Sequence, residues 1–324
     1  MQQYIMRRLM YGAVTTVLVS LFIFAIMRIA PGDVAMQIAL DLVGGGEGGE
    51  EFVTVELLES IREELGLNKP LPVQYFVWLR DMVTLNWGSS MFSESSIWGE
   101  FTRKVPLTLE LAIFSVILST VLGIPVGIIM ALRQDSVEDY VGRVFSLAGL
   151  SIPSFWGATM LIMIGIYFLS WSPRLTYVHI WDDPMANLSM FFWPAVITGY
   201  SSMATKARMM RSTMLEVLRQ DYIRTANSKG LRYFVVVYRH AMKNALLPVL
   251  TIIGIQVSHI LGGSVIMEQI FSLPGIGNYL IEGMGRRDYP VVQTLVMVFA
   301  LWVVIINLVT DLMYGWLDPR IRLE

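Results

Sequence analysis

The side chains able to do chemistry in this 324-residue chain are few and stand far apart. Its three histidines are His179, His240 and His259, and it has no cysteine. A zinc peptidase needs two histidines one helical turn apart around a glutamate, and a hydrolase sets its nucleophile in Gly-x-Ser-x-Gly; neither pattern occurs. A P-loop is also missing, because cradling phosphate takes a glycine followed by lysine and no lysine here follows a glycine. ATP hydrolysis, if the chain depends on it, must come from another polypeptide. The lack of cysteine removes disulfides, thiolate nucleophiles and cysteine metal sites. A net charge of −2 gives no reason to invoke nucleic acid.

What remains is a short set of candidates. His259 lies inside an apolar run, where an ionisable group is often functional, as a proton relay or a substrate contact. A neutral imidazole bonded to a neighbouring helix fits the position too, since its run contains no acid to complete a relay. Glu268 closes the same run and suits either the amino terminus of a bound peptide or an ion pair with Arg286 or Arg287. Ser151-Ile152-Pro153-Ser154 interrupts another run; the backbone groups freed there need a partner or a water-lined cavity, which makes Ser151, Pro153 and Ser154 candidates for lining a path. Gly123 and Gly127 are spaced for close helix approach around Pro125. Between Lys206 and Lys243 stand nine basic residues and two acids, Glu216 and Asp221. Such a segment can rest on anionic headgroups. Its small residues Ala226, Ser228 and Gly230 suit the close approach of another protein.

These candidates sit on or beside long stretches without charge. Residues 9–27, 111–132, 144–173, 184–205, 244–267 and 289–310 hold no Asp, Glu, Lys or Arg. Only 15% of the chain is charged and its mean hydropathy is +0.58. A helix needs about 20 apolar residues to cross roughly 30 Å of hydrocarbon, whereas a soluble helix keeps one face wet. The expected fold is an all-α integral membrane protein with six transmembrane helices. With the N-terminus inside, fifteen Lys and Arg fall on the cytoplasmic side, against three in the two short outer loops. By that bias both termini are cytoplasmic. The exterior segment, 31–107, starts with a glycine-rich stretch at 44–49. It continues with a helix capped by Thr54 and stopped at Gly66, and with a second amphipathic helix over 73–85. The chain thus divides into a first span (1–30), that segment, a core (108–315) holding the loop 206–243, and a tail (316–324).

At the basic loop the sequence resembles the permease subunits of ABC importers, in their dipeptide/oligopeptide branch. Asp221-Tyr-Ile-Arg-Thr-Ala-Asn-Ser-Lys-Gly230-Leu looks like that branch's version of the permease "EAA" loop. Ala226 and Gly230 match the general pattern literally. His240 and the late Leu247-Pro248 depart from it in the manner of the peptide branch. Ala30-Pro31-Gly32-Asp33, Phe271-Ser-Leu-Pro-Gly-Ile-Gly277, Arg287-Asp-Tyr-Pro290 and Leu317-Asp-Pro-Arg320 add matches in the family's order over nearly the whole chain. The resemblance implies a type I importer fold: a peripheral first helix, a five-helix core, and a loop that docks on a cytoplasmic ATPase. By that resemblance Asp221, Tyr222, Arg224, Thr225, Ala226, Lys229 and Gly230 are the ATPase-coupling residues. It also implies a second homologous permease, two ATPase subunits that bind the ATP and Mg, an extracytoplasmic binding protein, a peptide substrate, and no cofactor in this chain. Related systems carry nickel or glutathione. An ion-gradient transporter would instead carry intramembrane carboxylates, and the runs hold none.

Overall fold

A computed structural model describes residues 2–29, 34–43, 53–64, 66–93, 95–174 and 176–317. The expected features at 30–33, 44–49, Leu65 and 318–324 lie outside the described residues, and so does the side chain of His259. Among the described residues the architecture is helical, with one isolated bridge between Ser89 and Ser96. The helices are α1 (Gln2–Ile29), α2 (Val34–Leu42), α3 (Val55–Glu64), α4 (Leu71–Val83), α5 (Ile97–Leu132), α6 (Val137–Ser151) and α7 (Ser154–Leu169). They continue with α8 (Pro184–Leu218), α9 (Asp221–Ser228), α10 (Tyr233–Val235), a π-helical turn (Val236–Ala241), α11 (Met242–Ile270), α12 (Ile276–Arg286) and α13 (Tyr289–Leu317).

Every charge-free run falls mainly on helix, the run 144–173 with a break at 152–153 and a non-helical end from 170. Four helices are long and apolar enough to cross a membrane, and the pair α6–α7, bent by 99°, makes a fifth span if counted as one. The sixth run lies on α8, where Asn187, Ser189, Ser201 and Ser202 dilute its apolar character. α8 also outlasts its run. Met203, Ala207, Met210 and Met214 keep one stripe buried at helical spacing, so the helix continues through residues expected in the basic loop. The loop itself begins only after Leu218. α5 likewise starts eleven residues before the expected core and reaches roughly 54 Å at 1.5 Å per residue.

The chain divides into two compact units. The first comprises residues 1–9, 104–278 and 302–324. One of its apolar clusters joins Ile128, Met210, Met214, Ile223, Ala226 and Val249. A second gathers Leu107, Leu111, Phe191, Met267, Phe271 and Leu273. Helix starts are capped as local chemistry dictates: Ser136 accepts from Asp139 N ahead of α6, and Asp183 accepts from Met185 N and Ala186 N ahead of α8, whose first residue is Pro184.

The second unit comprises residues 10–103 and 279–301. Thr54 Oγ1 accepts from Leu57 N and caps α3, and Gly66, at φ +65°, turns the chain out of it. α4 enters through Pro70 and Pro72 and packs on α1, with Tyr75 OH and Ser20 Oγ 2.8 Å apart and the Tyr75 ring edge-on to Phe24. Asp288 Oδ1 accepts from Val291 N at the head of α13, and Ser90 Oγ donates to its Oδ2. That cap gives the Arg287-Asp-Tyr-Pro290 stretch a structural reason.

Candidate functional site

α9 is an eight-residue helix of one-sided character. Ile223 and Ala226, three apart, turn inward and join the cluster formed by α5, α8 and α11. Asp221, Tyr222, Arg224, Thr225, Asn227, Ser228 and Lys229 all remain exposed. Ala226 therefore packs into the chain's own core rather than offering a small surface outward. Gly230 follows at φ +72°, the left-handed region that ends a helix readily only with glycine, and a Cβ there would meet nothing within 4 Å. Its need is the turn, not a tight contact within this chain. Tyr222 OH accepts from Asn244 Nδ2 at 2.7 Å and ties α9 to the first turn of α11. Arg224 lies 3.5 Å from Asp221, with both groups open to solvent.

Behind α9 stands a group of side chains that the basic pattern concealed. Leu231, Tyr233, Phe234 and Tyr238 are exposed, Phe234 by 68%, and the rings of Phe234 and Tyr238 lie 4.3 Å apart. Val236 and Val237, between them, are fully buried and anchor the segment. The signal was present as four large apolar residues within an otherwise cationic loop. Exposed aromatics beside arginines are the composition of protein-binding surfaces.

Inside the bundle, α5, α8 and α11 meet through a polar cluster. Lys206 is wholly buried, and its Nζ donates to Ser119 Oγ and Thr120 Oγ1, each at 2.8 Å. Ser119 also accepts from Gln256 Nε2 at 3.0 Å and donates to Ser115 O at 2.6 Å. One hydroxyl thus uses its single proton and both lone pairs. Among the described residues Lys206 has no carboxylate partner. The helices can draw this close because of Gly123 and Gly127, whose missing Cβ atoms would stand 2.9 Å from Met203 O and 2.5 Å from Ala207 O. Close helix approach is what this glycine pair provides here.

Glu268 is fully buried at the end of α11. Its carboxylate accepts from Thr108 Oγ1 at 2.7 Å and from Asn278 N at 3.0 Å, and Thr108 Oγ1 accepts in turn from Ile276 N. It holds the Phe271–Gly277 turn, and among the described residues it makes no ion pair. A Cβ at Gly275 would stand 2.4 Å from its Oε2, which explains that glycine. Ser151, Pro153 and Ser154 stand at the α6–α7 bend. Ser151 Oγ bonds back to Leu147 O, while Pro153 and Ser154 line a cavity of about 580 Å³ walled by Trp156, Trp171, Trp193 and Tyr200. The structure does not gather the five candidate path residues at one place: three mark the bend, Glu268 braces a turn, and His259 lies on α11.

Two further polar anchors escaped sequence reasoning. Asp139, wholly buried, receives Arg211 Nε at 2.7 Å and Arg211 Nη2 at 2.8 Å, a two-pronged grip joining α6 to α8, with Arg143 on the same carboxylate. In the loop before α8, Tyr177 OH donates to Glu110 Oε1 at 3.0 Å. Burial, and then the neighbouring Glu110 carboxylate, push the Tyr177 phenol well above its ordinary pKa and keep it a donor.

Comparison with known proteins agrees with this architecture. Residues 123–323 match the family described as binding-protein-dependent transport system inner membrane component, and residues 1–112 match the N-terminal model of the same membrane component. The dipeptide transport system permease protein DppB of Escherichia coli strain K12 is 38% identical over 348 residues, covering 99% of each chain. The protein of that name from Alkalihalophilus pseudofirmus is 37% identical over 342 residues, covering 99% of this chain and 100% of its own. The di/tripeptide transport system permease DppB of Pseudomonas aeruginosa is 38% identical over 342 residues. Apolar helices and near full-length likeness converge: this chain belongs to the inner-membrane permease components of binding-protein-dependent ABC transport systems.

Proposed function

We propose that the chain is one permease half of an ATP-driven importer of di- and oligopeptides, and that α9 with the aromatic residues behind it docks on a separate ATPase. The observation that carries the docking role is the division of α9 itself. Ile223 and Ala226, with the Tyr222 hydroxyl, fasten it to the bundle and the remainder of its surface is left open. ATP binding draws two soluble subunits together, and only a rigid element fixed to the spans can turn that approach into helix motion. Ile223 and Ala226 belong to the apolar cluster that includes Met210 and Met214 of α8, and the Tyr222–Asn244 bond reaches α11, so force on α9 passes to two spans. Exposed ion pairs such as Arg224 with a partner acid contribute about 0–1 kcal/mol. A seated aromatic contributes about 2 kcal/mol or more. Phe234 and Tyr238 are therefore expected to outweigh Arg224 and Lys229.

The peptide cargo is supported by relatives named for dipeptides and di/tripeptides across the full length. In this reading a second homologous permease completes the path, two cytoplasmic ATPase subunits bind ATP and Mg, and an extracytoplasmic protein delivers substrate. Both termini face the cytoplasm, as the bias of basic residues requires. In a strain deleted for this chain, labelled dipeptide uptake should return with the wild type and not with nickel or glutathione as the cargo. In the assembled importer, Phe234→Ala and Arg224→Glu should leave membrane insertion intact while lowering uptake per ATP hydrolysed, about tenfold for the first and less for the second. Normal coupling in both variants would remove the docking role.

A further inference from the structure

Beside the Asp139 anchor, between α6 and α8, lies a cavity of about 770 Å³. Its volume falls within the range of small-ligand sites. Among the described residues three arginines line it, Arg143, Arg208 and Arg211, and no acid does. Asp139, wholly buried, holds two of them from behind: Arg143 Nε donates to its Oδ1 at 3.1 Å and Arg211 Nε to the same oxygen at 2.7 Å. One carboxylate thus draws two guanidinium groups together. Arg208 is exposed and, among the described residues, has neither hydrogen bond nor ion pair. It stands three residues before Arg211 on α8, a spacing that sets Cβ atoms about 5–6 Å apart on one face.

The position of these arginines along the spans decides what can reach them. Arg143 immediately precedes the charge-free run 144–173. Arg208 and Arg211 follow the run 184–205 by three and six residues, about 4.5 and 9 Å at 1.5 Å per residue. All three therefore sit at headgroup depth, on the side that the bias of basic residues assigns to the cytoplasm. From Arg143 the wall runs inward along one face of α6 through Leu147 and Leu150, both exposed and both inside the run. The cavity has a cationic end at the bilayer surface and an apolar end in hydrocarbon.

From these we infer that the cavity binds an anionic phospholipid. Its phosphate lies among Arg143, Arg208 and Arg211, whose planar guanidinium groups suit phosphate oxygens, and an acyl chain follows Leu147 and Leu150 into the bilayer. Charge complementarity selects the headgroup. Asp139 and Asp135 balance Arg143 and Arg211, so Arg208 is left as an uncompensated positive charge. A zwitterionic headgroup would bring its own ammonium against that excess. A water-borne anion would gain the arginines but leave the leucine wall unused. Basic pockets between spans on the cytoplasmic side are suited to acidic headgroups for this reason. The bound lipid touches α6 and α8 at once, alongside the Asp139 grip, and the inference does not depend on which cargo the importer carries.

The test uses the assembled importer in phosphatidylcholine nanodiscs containing a trace of phosphatidylglycerol with a diazirine near the glycerol end of one acyl chain. Illumination should label residues within 143–150 and 205–212 about fivefold more than a phosphatidylcholine probe with the same chains, a comparison that needs no variant. Arg208→Gln should lower labelling by phosphatidylglycerol about fivefold, the effect of one basic residue near an anionic surface, and Arg208→Lys should restore part of it. Unlabelled phosphatidylglycerol should compete, whereas water-soluble glycerophosphoglycerol should not. Equal labelling by the two probes, or labelling confined to other segments, would overturn the proposal. So would full labelling of Arg208→Gln, or competition by the soluble phosphodiester as strong as that by the lipid.

Discussion

The loop helix α9 and the interior meeting of α5, α8 and α11 treat their cations in opposite ways. Arg224 is 75% exposed and its neighbour Asp221 almost entirely so. Lys206 has no exposure at all, and its ammonium is shared between two hydroxyls. On α9 the polar groups are exposed, paired only locally or across to Asn244, and open to water. In the interior they are matched to one another, because an unmet polar group there would have no solvent to turn to. The contrast separates two kinds of energy. Interior groups hold the helices in register, and on the proposed docking role the loop groups serve association. Substitutions in the two regions should therefore read out in different assays.

The largest effect should come from Gly127→Leu. Even a Cβ at this position would stand 2.5 Å from Ala207 O and 2.7 Å from Met210 Cβ, and a helix backbone cannot step aside as a side-chain tip can. α5 and α8 must separate, with a loss of about 3 kcal/mol at the upper end of overpacking. Thermal unfolding of the purified importer, followed by size-exclusion fluorescence, should show a much lower midpoint. An unchanged midpoint would mean that α5 and α8 are not in such contact, and the comparison would lose its interior half.

A middle effect sharpens the role of the buried cation. Ser119→Ala removes the hub of the network, taking one acceptor from Lys206 and one from Gln256 Nε2, at a cost of about 1–3 kcal/mol. Lys206→Met keeps the length of the side chain and removes its charge; replacing a buried ion by an apolar group of like size is often neutral or stabilising. Thermal shifts should therefore rank Ser119→Ala below Lys206→Met. The reverse order would show that the ammonium has an anionic counterpart, and the interior would no longer be internally matched.

What could be read beforehand follows the same division. The charge-free runs, the Thr54 cap and Gly66 stop of α3, the α6–α7 break at Pro153, and a short helix ending at Gly230 all declare themselves within a few residues. Each depends on local chemistry: a hydroxyl, a missing N–H, a missing Cβ. Ser119, Lys206 and Gln256 are separated by 87 and 137 positions, and serine in an apolar run has no periodicity that reveals its partner. Glu268 stands out at the end of an apolar run, but its neighbours Thr108 and Asn278 come from outside its own helix, so the sequence points instead to an arginine or a ligand. Lys206 itself reads as part of the basic loop because its charge weighs more in a sequence count than the methionine stripe around it. Asp139 shows the halfway case: Arg143, four residues on, is a legible partner, whereas Arg211 is not.

The smallest stability effect should come from Phe234→Ala, the same variant expected to impair coupling most among the loop substitutions. The ring is 68% exposed, rests against Tyr238 and covers little of its own chain, so its removal should change unfolding by no more than about 0.5 kcal/mol. Thermal unfolding of this chain in nanodiscs without its partner subunits should be unaltered, while the unfolding midpoint of the complete importer should fall as docking weakens. That pairing is the decisive form of the comparison, because a residue that merely packed the fold would move both midpoints together. If Phe234→Ala destabilises the partner-free chain as much as Ser119→Ala does, the aromatic group belongs to the interior, and α9 would have to bind through its polar face alone.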